Sequence, residues 1–239
     1  MTWSIIARDE TTGAIGIAVA TRFFAVGALL PHIDPAAGAV ATQALINPTY
    51  GPRGLRLLRE GVPADEVVRF LTASDAGESQ RQLHVMDRAG RFAAHTGSGC
   101  VDWCGHAIHD GFSVAGNMLA GPKVIADTAR AFRDAEALPF ARRLIAALQA
   151  GEAAGGDKRG KQSAALLIHE GEEYPSLSLR VDDHADPLAE LERLEAVSRE
   201  RFVHFARFFA TKDDPSGTYD RDVINAAIDA ALSREAAKG

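Results

Sequence analysis

The second residue of the chain could carry nucleophilic catalysis. Thr2 opens the first predicted strand, and it would become the amino terminus if Met1 were removed. A terminal threonine combines a hydroxyl nucleophile with an α-amine base, a pairing that is a recognised activated nucleophile. The amine has an ordinary pKa of about 7.7–8.0, so much of it could accept a proton at neutral pH. The structural alternative is a β-branched residue that begins a strand.

Four further polar side chains lie at the ends of predicted strands, where they could face a substrate. Arg22 follows the second strand and could clamp a carboxylate with two parallel hydrogen bonds. Gln43 and Asn47 close the third strand, and Asn117 follows a later one; their amides could donate to an oxyanion or hold a substrate amide. The alternatives are a surface ion pair for Arg22 and satisfaction of buried backbone groups for the amides.

Cysteine and histidine residues are concentrated in the short segment from residue 100 to residue 109. Cys100, Cys104, His106 and His109 are the residue types that zinc prefers. If the segment is a strand, however, the two histidines point to opposite faces, which defeats a shared metal, so we predict no metal and no cofactor. Cys100 with His95 or His106 could instead form a nucleophile pair, or Cys100 could act as a small buried hydrophobe. We keep His106 as a candidate substrate-binding residue.

Two loops have a composition that could bind ions. Residues 151–161 combine four glycines with cationic side chains and could cradle an anion, although the P-loop pattern is absent. A loop that borders the site is the alternative. Residues 182–187 place acidic side chains at a helix entry, where they favour the helix dipole or could hold a cation through oxygen ligands.

Composition excludes several classes of protein. The 239-residue chain has 46% hydrophobic and 24% charged residues and a net charge of −6, which is ordinary for a globular protein. The chain has no basic cluster, so we expect no nucleic-acid partner and no anionic-membrane partner. No apolar run approaches the ~18 residues that span a bilayer, so we expect no membrane-spanning helix. Two cysteines and the lack of a secretory signal predict a cytoplasmic protein.

Hydrophobic periodicity gives runs of strands separated by pairs of helices. Because strands and helices do not alternate strictly, the order favours an α+β fold with stacked, mostly antiparallel sheets. The predicted strands cover residues 2–8, 14–20, 39–46, 82–87, 91–96, 105–109, 112–116, 163–169 and 176–181. The predicted helices cover residues 54–60, 64–73, 123–136, 140–149 and 223–232.

The C-terminal third is predicted to be helical. An apolar stripe runs for roughly six turns and provides either a core face or a homodimer face. It consists of Leu188, Leu191, Leu194, Phe202, Phe205 and Phe209. We expect one domain over residues 1–210 and a helical tail over residues 211–239.

Several segments carry a resemblance to a known family. The opening strand from Thr2, a turn, and a second strand that ends in Thr21-Arg22 resemble N-terminal-nucleophile (Ntn) hydrolases such as proteasome β subunits. The whole chain to about Leu194 resembles a bacterial Ntn-hydrolase-like family known as domain of unknown function 1028. The matching segments are residues 38–43, 50–55, 103–106, 116–117, 155–166 and 180–184.

The resemblance implies a fold and a site. The fold would be the four-layer αββα sandwich of Ntn hydrolases, and Asp157 would correspond to an aspartate of the catalytic machinery. The proteasome pattern has an aspartate near Ala20 and a lysine on the next strand, but this chain has no lysine before Lys123. Proton handling would therefore use other groups.

Two functions remain open at this stage. The first is hydrolysis of a small, anionic amide or ureide by Thr2, with Asp157 as an orienting acid and Arg22, Gln43, Asn47, Asn117 and His106 around the substrate. The second is a catalytically silent Ntn fold that binds a ligand or mediates assembly. A metal hydrolase built on the segment 100–109 is a weaker third alternative.

Overall fold

The computed structural model describes the backbone of residues 2–236 and the side chains of residues 2–234. These residues form two compact units, one that ends at Glu192 and one that begins at Arg193. The division near residue 210 made from the sequence stays a prediction. Met1, and with it the question of its removal, lies outside the described residues.

The N-terminal unit contains two antiparallel sheets. The six-stranded sheet has the order β10-β9-β2-β1-β8-β7, and the four-stranded sheet has the order β3-β4-β5-β6. The strands are β1 (Thr2–Arg8), β2 (Ile15–Thr21), β3 (Pro31–Asp34), β4 (Gly38–Ala44), β5 (Arg81–Asp87), β6 (Phe92–Thr96), β7 (Trp103–His109), β8 (Phe112–Leu119), β9 (Ser163–His169) and β10 (Leu177–Val181).

The two sheets pack against each other, and each carries a pair of helices. Contacts join β1 to β4 and β5, which brings the sheets face to face. Helices α1 (Tyr50–Arg59) and α2 (Ala64–Ala73) contact β4, β5 and β6 between them. Helices α3 (Lys123–Asp134) and α4 (Phe140–Ala153) contact β2, β7, β8 and β9 between them. The α+β fold with antiparallel sheets predicted from the sequence is confirmed.

Side-chain alternation in β4 explains why this strand is buried on both faces. Ala39 and Ala41 pack in the same cluster as Ile6 and Ile17 of the six-stranded sheet. Val40, which points to the other face, packs among residues of α1 and α2. Small side chains on one face therefore let the sheets approach, while the opposite face supports the helices.

The pairing register of β1 brings two predicted site residues, Thr2 and Asn117, together with Thr21. Thr2 lies opposite Thr21 of β2 on one side and opposite Asn117 of β8 on the other. All of β1 except Arg8 is buried, and β2 is buried throughout. Because both faces of these central strands are covered, a one-residue slip would carry Thr2 away from its partners at high cost.

The C-terminal apolar stripe is interrupted, in contrast to the predicted run of six turns. Helix α5 (Pro187–Glu200) ends before Phe202, because Arg201 leaves the helical conformation with φ −151°. A short helix α6 (Phe202–Phe205) follows, and Phe205 and Phe209 pack edge to face with ring centroids 5.6 Å apart. A final helix, α7 (Arg221–Ala236), ends the described chain. None of the described helices combines the length and apolarity that crossing a bilayer requires.

Candidate functional site

A cavity of about 390 Å³ opens at the end of β1 where the chain begins. Its polar floor is formed by Thr2, Thr21, Thr42, Gln43 and Asn117. This volume lies at the lower end of the ~300–1,000 Å³ that small-molecule sites occupy. Three of the seven site residues predicted from the sequence (Thr2, Gln43 and Asn117) line this single cavity.

Thr2 lies on the cavity floor with its hydroxyl held in place. Its side-chain oxygen is 3.0 Å from the Oγ1 of Thr21, and its backbone carbonyl accepts a hydrogen bond from Asn117 Nδ2 at 3.5 Å. Thr2 is 7% exposed, so the hydroxyl is sheltered from bulk water while it still borders the cavity. A hydroxyl in this position could attack a carbonyl group held in the cavity.

Three buried amides form a continuous network behind the floor. Gln43 Nε2 and Asn117 Nδ2 both donate to Oε1 of Gln82, at 2.7 and 3.0 Å. The Nε2 of Gln82 donates in turn to the carbonyl of Gly116 at 2.8 Å and to Thr96 Oγ1 at 2.9 Å. These bonds fix which way each amide points, so Gln43 and Asn117 present defined donors and acceptors to a ligand.

A buried histidine extends this network between the sheets. Ser4 donates its hydroxyl to Gln43 Oε1 at 2.6 Å, so it accepts from His84 Nε2, which is 2.9 Å away. The Nδ1 of His84 must then accept from the hydroxyl of Ser113, at 2.7 Å. Burial lowers the pKa of His84 to about 3, so the ring is neutral and supplies one donor and one acceptor.

Asp157 organises the loop beside the cavity and does not line it. Its carboxylate accepts from the backbone N–H groups of Arg22 and Arg159, each at 2.8 Å. The guanidinium of Arg159 lies above the buried carboxylate at 3.3 Å and does line the cavity. Arg22 does not line the cavity, because its Nη1 donates to the carbonyl of Arg159 at 2.8 Å. The cation placed to meet a substrate is therefore Arg159.

Ser163 joins the start of β9 to the opposite wall of the cavity. Its hydroxyl donates to the carbonyl of Phe23 at 2.6 Å and accepts from the N–H of Val26 at 3.2 Å. Phe23 and Val26 both line the cavity. The segment from Gly155 to Leu166, which resembles the known family most specifically, thus supports two walls of the cavity through Asp157 and Ser163.

Asn47 has a structural environment away from the cavity lining. Its Nδ2 donates to Asp75 at 2.9 Å, and its Oδ1 accepts from the backbone N–H of Thr49 at 3.1 Å. Asp75 also accepts from Arg81, whose hydrogen bond is the largest of several effects that hold the pKa of Asp75 well below its ordinary range. Asn47 therefore ties the turn before α1 to the end of α2.

Replacing Asn47 with alanine is expected to lower the free energy of unfolding by about 1–2 kcal/mol, because Asp75 loses a donor and Thr49 loses an acceptor. Ligand affinity of the cavity should not change. Urea unfolding and ligand titration measure the two effects, with Asn117→Ala as the variant that should weaken binding. Equal losses of affinity in both variants would place Asn47 in the binding site after all.

His106 and the cysteines do not form a shared site. His106 is exposed, and its Nδ1 is 2.9 Å from Thr96 Oγ1. In the pairing of β7 with β8, His106 and His109 lie opposite Ala115 and Phe112, an odd number of residues apart, so they face opposite ways. Cys100 and Cys104 are both free thiols. Among residues 2–234, no group of three or more histidine, cysteine, aspartate or glutamate side chains is placed to hold a metal ion.

Backbone strain is concentrated around the cavity. Ala44 and Met118 both line it and have φ values of 70° and 53°. Ala25 and Asp102, with φ values of 53° and 56°, directly adjoin lining residues. Left-handed backbone costs a non-glycine residue roughly 1–2 kcal/mol, and such residues cluster at functional sites. The described chain has no other non-glycine residue with positive φ.

Sequence reasoning missed six residues that shape the site, including Thr21 and Thr42 of the cavity floor. Ser4, Gln82 and His84 lie inside strands, where local pattern gives no sign that they meet between two sheets. Arg159 lies in a glycine-containing loop that the sequence marked as cationic, but nothing local distinguished it from its neighbours Lys158 and Lys161. For Arg159 the available signal was its place two residues after Asp157.

Comparison with known proteins agrees on one family. The model of a family of unknown function, DUF1028, matches residues 2–191. The crystal structure of protein SPO2555 from Silicibacter pomeroyi, assigned to the same family, aligns with a TM-score of 0.85 and 37% sequence identity over 92% of this chain and 96% of that chain. No curated protein matches the sequence. On the extent of these matches, the chain belongs to the DUF1028 family.

Proposed function

We propose that this chain is an Ntn-type amidohydrolase that acts on a small, anionic amide. In this proposal the two sheets with their helix pairs form the four-layer αββα sandwich of Ntn hydrolases. The observation that carries the proposal is the position of Thr2, the first residue of β1, on the floor of a cavity, with its hydroxyl beside that of Thr21. A nucleophile there needs only a free α-amine to become active.

The chemistry follows from the groups at Thr2. Its α-amine, once Met1 is removed, takes the hydroxyl proton as Oγ1 attacks the substrate carbonyl. The C–N bond then breaks, the proton passes to the leaving amine, and an ester to Thr2 remains. Water, deprotonated by the same amine, hydrolyses this ester and restores the hydroxyl. The reaction consumes one water molecule per amide and needs no other co-reactant.

Two amides have hydrogen-bonding capacity left for the substrate. Asn117 spends its N–H groups on Gln82 and on the Thr2 carbonyl, which leaves Oδ1 as an acceptor for the N–H of a substrate amide. Gln43 spends one N–H on Gln82, so its second N–H could donate to the oxyanion. The amide network thus supports both binding and charge stabilisation.

A ligand-binding module without catalysis is the second candidate, and a specific observation favours it. Among the described lining residues there is no aspartate, glutamate, histidine or lysine, and the titratable side chains are those of Cys100 and Arg159. Burial raises the pKa of the Cys100 thiol, which disfavours a thiolate. No lining side chain could therefore serve as a general base, and catalysis depends entirely on the amine of Thr2.

The intact mass of untagged protein from its native host tests the proposal first. We expect a mass that lacks one methionine residue. The protein should then hydrolyse members of a panel of amides, ureides and γ-glutamyl compounds. When the reaction with a slowly hydrolysed substrate is quenched shortly after mixing, the N-terminal peptide should carry an acyl adduct. A mass that includes Met1 would mean that the Thr2 nitrogen is in a peptide bond and cannot act as a base. The ligand-binding module would then be the remaining candidate function.

A further inference from the structure

The mouth of the cavity is apolar and open to solvent. Phe23, Leu29, Leu45 and Val101 all line it, and their exposed fractions are 57%, 38%, 64% and 55%. Single exposed apolar residues are common on protein surfaces, but several around one concave site indicate that a ligand covers them. The floor of the cavity is polar, so a ligand that fits has an apolar part toward the mouth and a polar part toward Thr2.

The charge of the cavity comes from Arg159. Its side chain is 42% exposed, and the guanidinium lies on the carboxylate of Asp157, whose side chain is fully buried. Asp157 also accepts two backbone N–H groups, so it is anchored and holds the guanidinium in a fixed place. The Nε and Nη2 of Arg159 face Asp157 at 3.4 and 3.3 Å, so a ligand carboxylate would meet the end of the guanidinium formed by its two Nη atoms.

From these three features, an apolar mouth, an amide-binding floor and one cation, we propose that the cavity takes N-acyl amino acids with a medium-length apolar acyl chain. The acyl chain would cover Phe23 and Leu45, the amide would lie on Asn117 and Thr2, and the carboxylate would pair with Arg159. This substrate class rests on the proposed hydrolase function. Hydrolysis would add one water across the C–N bond and release a fatty acid and a free amino acid.

Chain length gives the first test, measured as binding and not as turnover. We would titrate acetyl-, hexanoyl-, octanoyl- and decanoylglycine into the Thr2→Ala variant by calorimetry, below the concentration at which the ligands form micelles. Affinity should rise by about fourfold for each added methylene until the mouth is filled, because each one leaves water for an apolar surface. Affinity that does not change with chain length would overturn the inference.

Adjacent residues supply matched controls for the apolar contact. Phe23 lines the cavity, whereas Phe24 is equally exposed, at 62%, and does not. We expect Phe23→Ala to weaken decanoylglycine binding about tenfold and to leave acetylglycine unchanged. Phe24→Ala should change neither. Equal losses in the two variants would count against a specific acyl site.

The same design applies to the carboxylate. Arg159→Gln should weaken every acylglycine about tenfold but should not affect the uncharged N-octanoyl methylamide. Lys158→Gln removes the neighbouring cation, which pairs with Asp102 at 3.4 Å and does not line the cavity, and it should have no effect. Circular dichroism of each variant confirms that it is folded. A loss for the methylamide in Arg159→Gln would mean that the residue acts through loop structure.

The outcomes separate the ligand class from the catalytic proposal. Chain-length-dependent binding by a protein that never hydrolyses acylglycines would support the ligand class and overturn the hydrolase. Hydrolysis of short amides with no preference for acyl length would support the hydrolase and overturn the ligand class.

Discussion

Replacing Thr2 with alanine is expected to lower amide hydrolysis by about three orders of magnitude or more, because the variant lacks the attacking oxygen. Alanine is also a small second residue, so removal of Met1 should proceed as before and the α-amine should remain. Thr2→Ser keeps both the hydroxyl and the amine and should retain measurable activity. The rate constant kcat/KM of the three proteins on one substrate from the amide panel provides the measurement.

The pH profile adds a readout that loss of structure would not produce. If the α-amine is the base, kcat/KM of the wild type should rise with pH through the pKa of the amine, ordinarily about 7.7–8.0, because only the neutral amine accepts a proton. A preparation in which Met1 is retained should be inactive at every pH. Full activity in Thr2→Ala, or activity with Met1 in place, would contradict terminal-threonine catalysis.

Local sequence signals located most elements of the N-terminal unit. Helix α2 and strand β9 have the predicted bounds, because apolar periodicity and turn residues mark them clearly. The strands predicted over residues 105–109 and 112–116 leave only Asp110 and Gly111 for a turn, and Gly111 has φ 76°, which a larger residue would adopt only under strain. Elements whose limits depend on local chemistry could therefore be predicted from the sequence.

Strand β3 was missed because its residues carry little strand signal. It is only four residues long, begins with Pro31, and lies at the edge of the four-stranded sheet. Proline has no N–H to donate, and this is tolerated at an edge, where one side of the strand has no neighbouring strand to bond. Its pairing with β4 is thus set by tertiary packing, which no local pattern reports.

Site residues with a local sequence signal were predicted, whereas those set by tertiary contacts were missed. Thr2 was predicted as a terminal nucleophile, and Gln43 and Asn117 were predicted as polar residues near the ends of strands. Arg159 took the place predicted for Arg22 because a backbone carbonyl holds the guanidinium of Arg22. That hydrogen bond joins residues 137 positions apart, so it depends on the fold as a whole.

Protonation of His84 at low pH is expected to have the largest effect on the free energy of unfolding. Its pKa is about 3 in the folded protein, where burial excludes the charged ring, and about 6.5 in the unfolded chain. Between these values the unfolded state binds more protons, so stability rises with pH. The contribution of His84 is fully present above pH 6.5 and falls by up to about 1.4 kcal/mol per unit as the pH decreases toward 3. Urea unfolding at pH 7, 6, 5 and 4 measures the loss.

A variant separates His84 from the other histidines whose pKa values are also lowered, chiefly by partial loss of solvation, namely His32, His106, His109 and His169. His84→Gln keeps an N–H that can reach Ser4 but has no titrating group. At pH 7 it should be less stable than the wild type by about 1–3 kcal/mol, because the hydroxyl of Ser113 loses its acceptor. Between pH 6 and pH 4 it should lose less stability than the wild type, so the two curves converge. Parallel curves would mean that His84 takes up its proton over the same pH range in the folded protein as in the unfolded chain, which would contradict a ring that burial keeps neutral.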